Sequence, residues 1–280
     1  MTATVFRAVL DALDRGEPAA LVTVVEATGS TPQRAGAKMA LLADGRLVGT
    51  IGGGPCEHDA AEQARDALRL RRARLVTYDL DDEAAADTGA VCGGRMQVYI
   101  EPLAPAPDLY LVGAGHVAQA LARVAVETGF RVHVLDDRAR YADAALYPAG
   151  VEVIVDDIAG WLGRASLPPA AYVVIVTRGH RHDREALAAV VTRPLAYVGM
   201  IGSRRKVAHV FEALVSSGVT PEALGAVFAP IGFDIGAVTP SEIAVSVVAE
   251  MLAVRSGRIA DPEVARATLR GRQAGAPGRV

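Results

Sequence analysis

A glycine turn after a short apolar run is the part of the sequence best suited to chemistry. Leu109–Val112 precedes Gly113-Ala114-Gly115-His116-Val117-Ala118, a G-x-G-x-x-A pattern. In such turns the first glycine permits a tight bend and the second lets the backbone approach a pyrophosphate. The following helix offers unpaired N–H groups to an anion. The predicted cofactor contacts of this turn are Gly113, Gly115, His116 and Val117.

The residues around this turn complete a strand–helix–strand unit. Apolar residues recur at helical spacing from Val117, Gly129 ends the helix, and Arg131–Leu135 is a second predicted strand. Asp136 follows where a carboxylate binds ribose hydroxyls in dinucleotide-binding folds. Asp136 favours NAD, and Arg138 leaves NADP open. Asp136, Asp137 and Arg138 are therefore predicted cofactor contacts in a Rossmann-like sheet.

Further polar residues follow two other predicted strands. Ala171–Val176 is fully apolar, as in a buried parallel sheet, and it precedes Thr177 and His180. Leu195–Val198 precedes Gly202, Ser203 and Arg204. Ligands bind at the carboxyl ends of such strands, so these residues are cofactor candidates. His180 and its neighbours through Asp183 could supply acid–base or metal chemistry; alternatively they form an ordinary surface loop.

Two glycine-containing segments in the first third of the chain could bind an anion. Gly29–Lys38 carries Arg34 and Lys38, which can hold a phosphate or a pterin-like edge. Gly52–Glu57 follows a predicted strand and opens a helix, so its backbone amides can face an anion. The predicted contacts here are Arg34, Lys38, Gly53, Gly54 and Glu57.

The chain has two cysteines, Cys56 and Cys92, each next to a glycine turn. A thiol in such a turn can be a low-pKa thiolate, a metal ligand or a sulfur carrier. Alternatively, both side chains are small buried hydrophobes. No C-x-x-C motif or paired histidine spacing is present, so no metal site is predicted.

The pattern predicts two domains of an α/β protein. Residues 1–107 form an N-terminal mixed α+β domain, and residues 108–256 form a Rossmann-like doubly wound parallel-sheet domain. Pro102, Pro105 and Pro107 mark the boundary between them. In the second domain, Pro240 precedes a last helix over 241–255. Residues 257–280 are a basic tail that we expect to be loose.

Composition excludes several classes of protein. The 280 residues are 51% hydrophobic with a mean hydropathy of +0.26, which argues against disorder. A formal net charge of −3 argues against a general nucleic-acid binder. No 18-residue apolar run or secretory signal pattern is present, so neither a membrane span nor export is predicted. We expect a cytoplasmic protein with reduced thiols.

The sequence resembles the XdhC/CoxI family, accessory proteins of molybdenum hydroxylases such as xanthine dehydrogenase. Five blocks carry the resemblance, in the family's order. They are Gly29–Met39, Gly49–Glu57, Cys92–Gly94, Tyr197–Lys206, and Pro230–Gly236 with Pro240–Ala244.

The resemblance implies a function. It implies that the chain binds molybdenum cofactor (molybdopterin), an anionic pterin dithiolene that carries a phosphate. The chain would support sulfuration of this cofactor and deliver it to a molybdenum hydroxylase. Cys92 matches the family's Cys-Gly-Gly turn and is the candidate for sulfur handling. A cysteine desulfurase is a second expected partner. The resemblance also implies a homodimer.

Two alternatives remain open from the residues. The first is an NAD(P)-dependent oxidoreductase on a small substrate, which would use the strand–helix–strand unit with Asp136 and the strand end at His180. The second is a protein that binds a nucleotide only to regulate docking on a partner, without turnover.

Overall fold

The computed structural model describes residues 2–80, 94–259 and 262. The chain forms two compact units, Met1–Ala106 and Pro107–Val280. The first contains α1 Thr2–Asp14, β1 Ala19–Gly29, β2 Lys38–Leu42, β3 Leu47–Gly49, α2 Gly54–Leu70, β4 Arg74–Asp79 and β5 Gly94–Leu103.

The second unit alternates parallel strands with helices. It contains β6 Asp108–Val112, α3 His116–Glu127, β7 Arg131–Asp136, β8 Glu152–Val155, α4 Ile158–Arg164, β9 Tyr172–Ile175, α5 His180–Val190, β10 Tyr197–Met200, α6 Arg204–Ser216, α7 Pro221–Gly225 and α8 Pro240–Arg255.

The first unit is an antiparallel sheet with one helix on each face. The strand order is β3-β2-β1-β5-β4. Small residues of α2, among them Ala60 and Ala64, pack against Val22 and Val98 on one face. Val5 of α1 packs with Ala40 and its neighbours on the other face. Because side chains alternate along a strand, one strand serves both cores.

The second unit is a parallel sheet in the order β10-β9-β6-β7-β8. Leu109 and Leu111 of β6 face a core that α3 and α8 cover, whereas Tyr110 and Val112 face a core that α4, α5 and α6 cover. All five residues of β6 are therefore buried. This two-sided burial explains the continuous apolar runs, and the doubly wound parallel sheet confirms the predicted fold class.

One predicted strand is displaced in the structure. The sequence predicts a strand over Leu195–Val198, but β10 continues through Gly199 and Met200, which pair with Val174 and Ile175 of β9. Gly199 is a packing residue rather than a turn, because a methyl group there would lie 2.5 Å from Cδ1 of Ile231. Its glycine signal therefore ends the predicted strand two residues early.

Two helices begin at residues that the sequence places outside a helix. The sequence places His180 in a strand-end loop, but α5 begins at that residue with Gly179 as its N-cap. It places Pro240 just before the last helix, but Pro240 is the first residue of α8, which Thr239 caps together with Glu242. Among the described residues, none of the helices is sufficiently long and apolar to pass through a membrane.

A charged cluster lies at the amino-terminal edge of the parallel sheet. Both ring nitrogens of His133 contact carboxylates, Nδ1 at 2.6 Å from Glu152 and Nε2 at 2.7 Å from Asp108. The ring stacks on Tyr110 at 4.5 Å. Burial disfavours the charged imidazole, but the hydrogen bonds to Asp108 and Glu152 outweigh it and raise the pKa of His133.

This cluster predicts a pH-dependent stability of the second unit. A raised folded-state pKa adds stability below the unfolded value of 6.5, and this stability disappears as the pH rises through the folded-state value. We expect the free energy of unfolding to fall as the pH rises from 6.5 through the raised pKa of His133, and His133→Gln to flatten that slope. The measurement is urea unfolding followed by fluorescence of Trp161, the only tryptophan. His209→Gln, at an exposed position, should keep the wild-type slope; an unchanged slope in His133→Gln would refute the prediction.

Candidate functional site

The glycine turn after β6 is held tightly against β9. Gly113 has a φ of +108°, which favours glycine. A methyl group at Gly113 would lie 2.7 Å from the carbonyl oxygen of Val176. Strands β6 and β9 flank the point where the strand order reverses, which is the usual ligand crevice of such sheets. The structure therefore places Gly113, Gly115 and Thr177 at this crevice.

The carboxylate of Asp136 is buried and accepts hydrogen bonds from within the protein. It is 1% exposed, and Oδ2 accepts a hydrogen bond from the amide of Ala114 at 2.8 Å. The Arg138 side chain donates to both carboxylate oxygens, at 2.8 and 2.9 Å. Burial acts to raise the pKa of Asp136, but these hydrogen bonds outweigh it and lower the pKa. Asp136 thus fixes the glycine turn, and Arg138 occupies the oxygens that a ribose would use.

The first turn of α3 keeps its anion-binding character. Its N-cap, Gly115, has no side chain to cap the helix, and the first intrahelical bond reaches it from Gln119 at 3.0 Å. His116 is exposed and Val117 is half-buried at this end. Backbone amides of an uncapped first turn attract an anion. The predicted contacts at Gly115, His116 and Val117 remain compatible with this geometry.

Thr177 takes part in a buried network. Its hydroxyl donates to Oδ1 of Asp183 at 2.6 Å, and Asp183 is fully buried. Lys206 pairs with Oδ2 of Asp183 and donates to the carbonyl oxygen of Ile201 at 3.2 Å. The network ties the ends of β9 and β10 to α5 and α6. The Asp183 carboxylate, a candidate for metal or proton chemistry, therefore serves to position the loops.

His180 is exposed at the start of α5, and its ring lies 6.1 Å from that of His209 in an edge contact. Asp137, a predicted cofactor contact, accepts a hydrogen bond from Arg178 at 3.1 Å. Across residues 2–80 and 94–259 no group of three His, Cys, Asp or Glu side chains could hold a metal ion. A general base needs a partner that positions it, and within the described residues the His180 ring contacts no carboxylate.

In the first unit, Glu57 binds the glycine turn from within. Its Oε2 accepts hydrogen bonds from the amides of Ile51 at 2.9 Å and Gly53 at 3.0 Å, and from the hydroxyl of Thr50. Burial acts to raise the pKa of Glu57, but these hydrogen bonds outweigh it and lower the pKa. The anion that contacts two amides of this turn is therefore the protein's own carboxylate. Gly53 and Glu57, predicted to bind a cofactor, bind each other.

Arg34 and Lys38 line one depression of about 420 Å³, together with Thr31 and Gln33. Lys38 Nζ lies 3.4 Å from the hydroxyl of Thr23. The guanidinium of Arg34 is exposed and makes no hydrogen bond or ion pair with the described part of the chain. The structure thus brings together the two cations that the sequence predicts as an anion surface. Cys92, the predicted sulfur-handling residue, lies outside the described residues.

Two side chains that hold loops in place, Lys206 and Glu250, are not predicted to do so from the sequence. The sequence places Lys206 in the basic run Arg204–Lys206, which is either a phosphate-neutralising group or a solvated helix start, and it places Glu250 within an apolar helix. Glu250 is 3% exposed and accepts hydrogen bonds from Tyr197 at 2.6 Å and from the amide of Gly232 at 3.1 Å. The available signal is a lone acidic residue on the buried stripe that contains Val247 and Met251.

Two family models match the chain. A model described as the XdhC Rossmann domain matches residues 109–251. A model described as the XdhC and CoxI family matches residues 12–79. A crystal structure of a xanthine dehydrogenase from Bacillus halodurans has the same fold, with a TM-score of 0.52, 21% identity, and coverage of 91% of this chain and 97% of that one.

Three curated proteins are similar in sequence. Uncharacterized protein YqeB of Escherichia coli K12 is 38% identical over 85% of this chain, which spans only 44% of the length of YqeB. A probable xanthine dehydrogenase subunit of Bacillus subtilis 168 is 26% identical over 89% of this chain and 97% of its own length. Molybdenum cofactor insertion chaperone PaoD of E. coli K12 is 26% identical over 90% of this chain and 88% of its own length.

The contacts of Glu57 predict a local effect of its removal. Glu57→Ala leaves the amides of Ile51 and Gly53 without their acceptor, which costs about 1–3 kcal/mol. We expect hydrogen–deuterium exchange across residues 49–57 to become faster by about tenfold or more. Glu62→Ala, on the exposed side of the same helix, is the control and should leave this segment protected. Equal protection in Glu57→Ala and wild type would show that the carboxylate does not hold the turn.

Proposed function

Because the chain belongs to the XdhC and CoxI family, we propose that it binds molybdenum cofactor and delivers it to a molybdenum hydroxylase of the xanthine dehydrogenase type. The similarity to the chaperone PaoD, which extends over 90% of this chain, is the observation that carries the proposal. The similarity to a probable xanthine dehydrogenase subunit supports the class of client. We also propose that a cysteine desulfurase is a second partner and that the chain acts as a homodimer.

The residues of the first unit fit an anionic cofactor. When bound, this cofactor supplies the molybdenum centre on which the client's chemistry depends. Arg34 offers a guanidinium without a partner in the described chain, and Lys38 lines the same depression. Arginine binds phosphate oxygens in a bidentate manner. We therefore assign the anionic end of the cofactor to Arg34 and Lys38, with Gln33 as a neutral donor at the rim.

The oxidoreductase alternative receives less support from the geometry. A dinucleotide needs a carboxylate acceptor for its ribose hydroxyls. Asp136 has both oxygens occupied by Arg138 and the turn amide of Ala114. Arg138 in turn is paired, so it is not available for a 2′-phosphate. The anion-binding end of α3 remains, which suits a phosphate better than a complete dinucleotide.

Native mass spectrometry tests the proposed cofactor. Protein purified from a host that makes molybdenum cofactor should carry a bound molybdopterin. Arg34→Gln should lower the occupied fraction about fivefold or more, because a charge-assisted contact is lost. Arg46→Gln is the matched control, since Arg46 is exposed in the same unit and, within the described residues, its guanidinium pairs with Asp44.

The outcomes separate the function from the site. Bound NAD or NADP without any pterin, or an empty protein, would overturn the proposed function. Equal molybdopterin in Arg34→Gln, Arg46→Gln and wild type would leave the function standing and overturn the assignment of Arg34.

We assign sulfur handling to Cys92, which the family resemblance favours over Cys56. A thiolate takes the outer sulfur of a donor persulfide, so that it becomes a persulfide and the donor leaves as a thiolate. After incubation with a cysteine desulfurase and cysteine, wild type and Cys56→Ser should each gain the mass of one sulfur atom. Cys92→Ser should gain none. A gain that persists in Cys92→Ser and is lost in Cys56→Ser would assign the role to Cys56.

A further inference from the structure

A cavity of about 890 Å³ lies in the second unit, on the outer side of β10. It is bounded by the end of β10, the start of α6, residues 228–237 and the first turns of α8. None of the described residues that line it belongs to the glycine turn at 113–115, and Thr177 is not among them either, so it is distinct from the crevice at that turn. Its volume lies within the usual range of small-molecule sites.

Aromatic side chains form the apolar part of this cavity. Phe211, Phe228 and Phe233 line it, and Phe228 stacks on Tyr197 at 4.6 Å. Phe211 and Phe233 are half-buried, so both expose ring surface. Aromatic rings in such a lining favour a flat ligand, because offset stacking and edge contacts add to the apolar burial.

A positive end of the cavity lies at the start of α6. Arg204 lines the cavity, and its guanidinium makes no hydrogen bond or ion pair with the described residues. It is the first residue of a 13-residue helix, whose N-cap hydroxyl, that of Ser203, accepts from the amide of Lys206 at 3.3 Å. The amides of the first two helical residues add to the charge of Arg204, and together they favour one anionic group.

A negative group lies elsewhere on the rim. Asp234 is exposed and has no hydrogen bond or ion pair in the described chain. Its carboxylate can accept from ring N–H or amino groups. A ligand with an anionic group at Arg204 and hydrogen-bond donors on its ring near Asp234 would satisfy both charges.

Hydrogen bonds and an ion pair hold the segments that form the walls of the cavity. Glu250 accepts from the amide of Gly232, and the hydroxyl of Ser246 donates to the carbonyl oxygen of Phe233 at 2.8 Å. The Asp183–Lys206 pair holds the start of α6. A site whose lining is already fixed loses less entropy when a ligand binds, so this cavity is preorganised.

We propose that this cavity binds a heteroaromatic ring that carries one anionic group, of the size of a mononucleotide or a substituted pterin. The ring lies among Phe211, Phe228 and Phe233, and the anionic group contacts Arg204 and the start of α6. Mononucleotides and pterin carboxylates share this chemistry, and the two sources are distinguished by experiment.

The test is calorimetric titration of the full-length protein with three probes: AMP, CMP and pterin-6-carboxylate. At least one probe should bind with a Kd below about 1 mM. Arg204→Gln should weaken that binding about tenfold or more, because it removes a charge-assisted contact. Ala208→Trp, at an exposed helical position that lines the cavity, should abolish it by filling the space.

Arg205→Gln is the matched control. Arg205 is the exposed neighbour of Arg204 on the same helix, does not line the cavity, and its variant should bind like wild type. The preferred probe identifies the ring class. Absence of binding for all three probes, or equal affinity in wild type, Arg204→Gln and Ala208→Trp, would overturn the proposal. Because the molybdopterin content of the protein is not the readout, this outcome is independent of the proposed function.

Discussion

The turns of this protein depend on acceptors for the backbone amides that their glycines expose. A buried amide without a partner costs as much as a lost hydrogen bond, so each tight turn must find an oxygen. Three carboxylates within the chain supply it. Glu57 accepts from Ile51 and Gly53, Asp136 accepts from Ala114, and Glu250 accepts from Gly232. In each case a helix or strand presents an acid to a glycine-containing loop of its own unit.

This constraint determines which groups remain for a ligand. The amides of Ile51 and Gly53 face Glu57 rather than solvent, and the Asp136 carboxylate is closed by Arg138. In contrast, the guanidinium groups of Arg34 and Arg204 make no hydrogen bond or ion pair within the described residues. The capacity for anions therefore resides in cations beside the turns and in the uncapped first turn of α3, more than in the glycine loops themselves.

Much of the fold can be predicted from the sequence because the pattern of apolar residues along a strand indicates which of its faces are buried. The continuous apolar run of β6 and the β-branched run of β9 belong to strands with both faces covered. The predicted strand ends too early at Gly199, because the sequence does not distinguish a glycine required by close packing from one required by a turn. Spacing locates the glycine turns but not their acceptors: Asp136 lies 22 residues from Ala114, and spacing does not reveal whether an acid faces a ligand or its own backbone. The cavity beside β10 is built from segments distant in sequence, so periodicity contains no signal for it.

The charge state of the internal acids strengthens the separation between turn and ligand. Hydrogen bonds lower the pKa of Glu57 and of Asp136, so both remain ionised at neutral pH. A phosphate that approached either set of turn amides would meet a fixed negative charge and would have to displace it. Displacement would also break the hydrogen bonds that give the turn its shape. An anionic cofactor is therefore bound more favourably at a separate cation, with the carboxylate left in place to hold the loop. The turn amides of Ile51, Gly53 and Ala114 therefore serve the folding of their loops, and in the second glycine motif the first turn of α3 is the part that remains open to an anion.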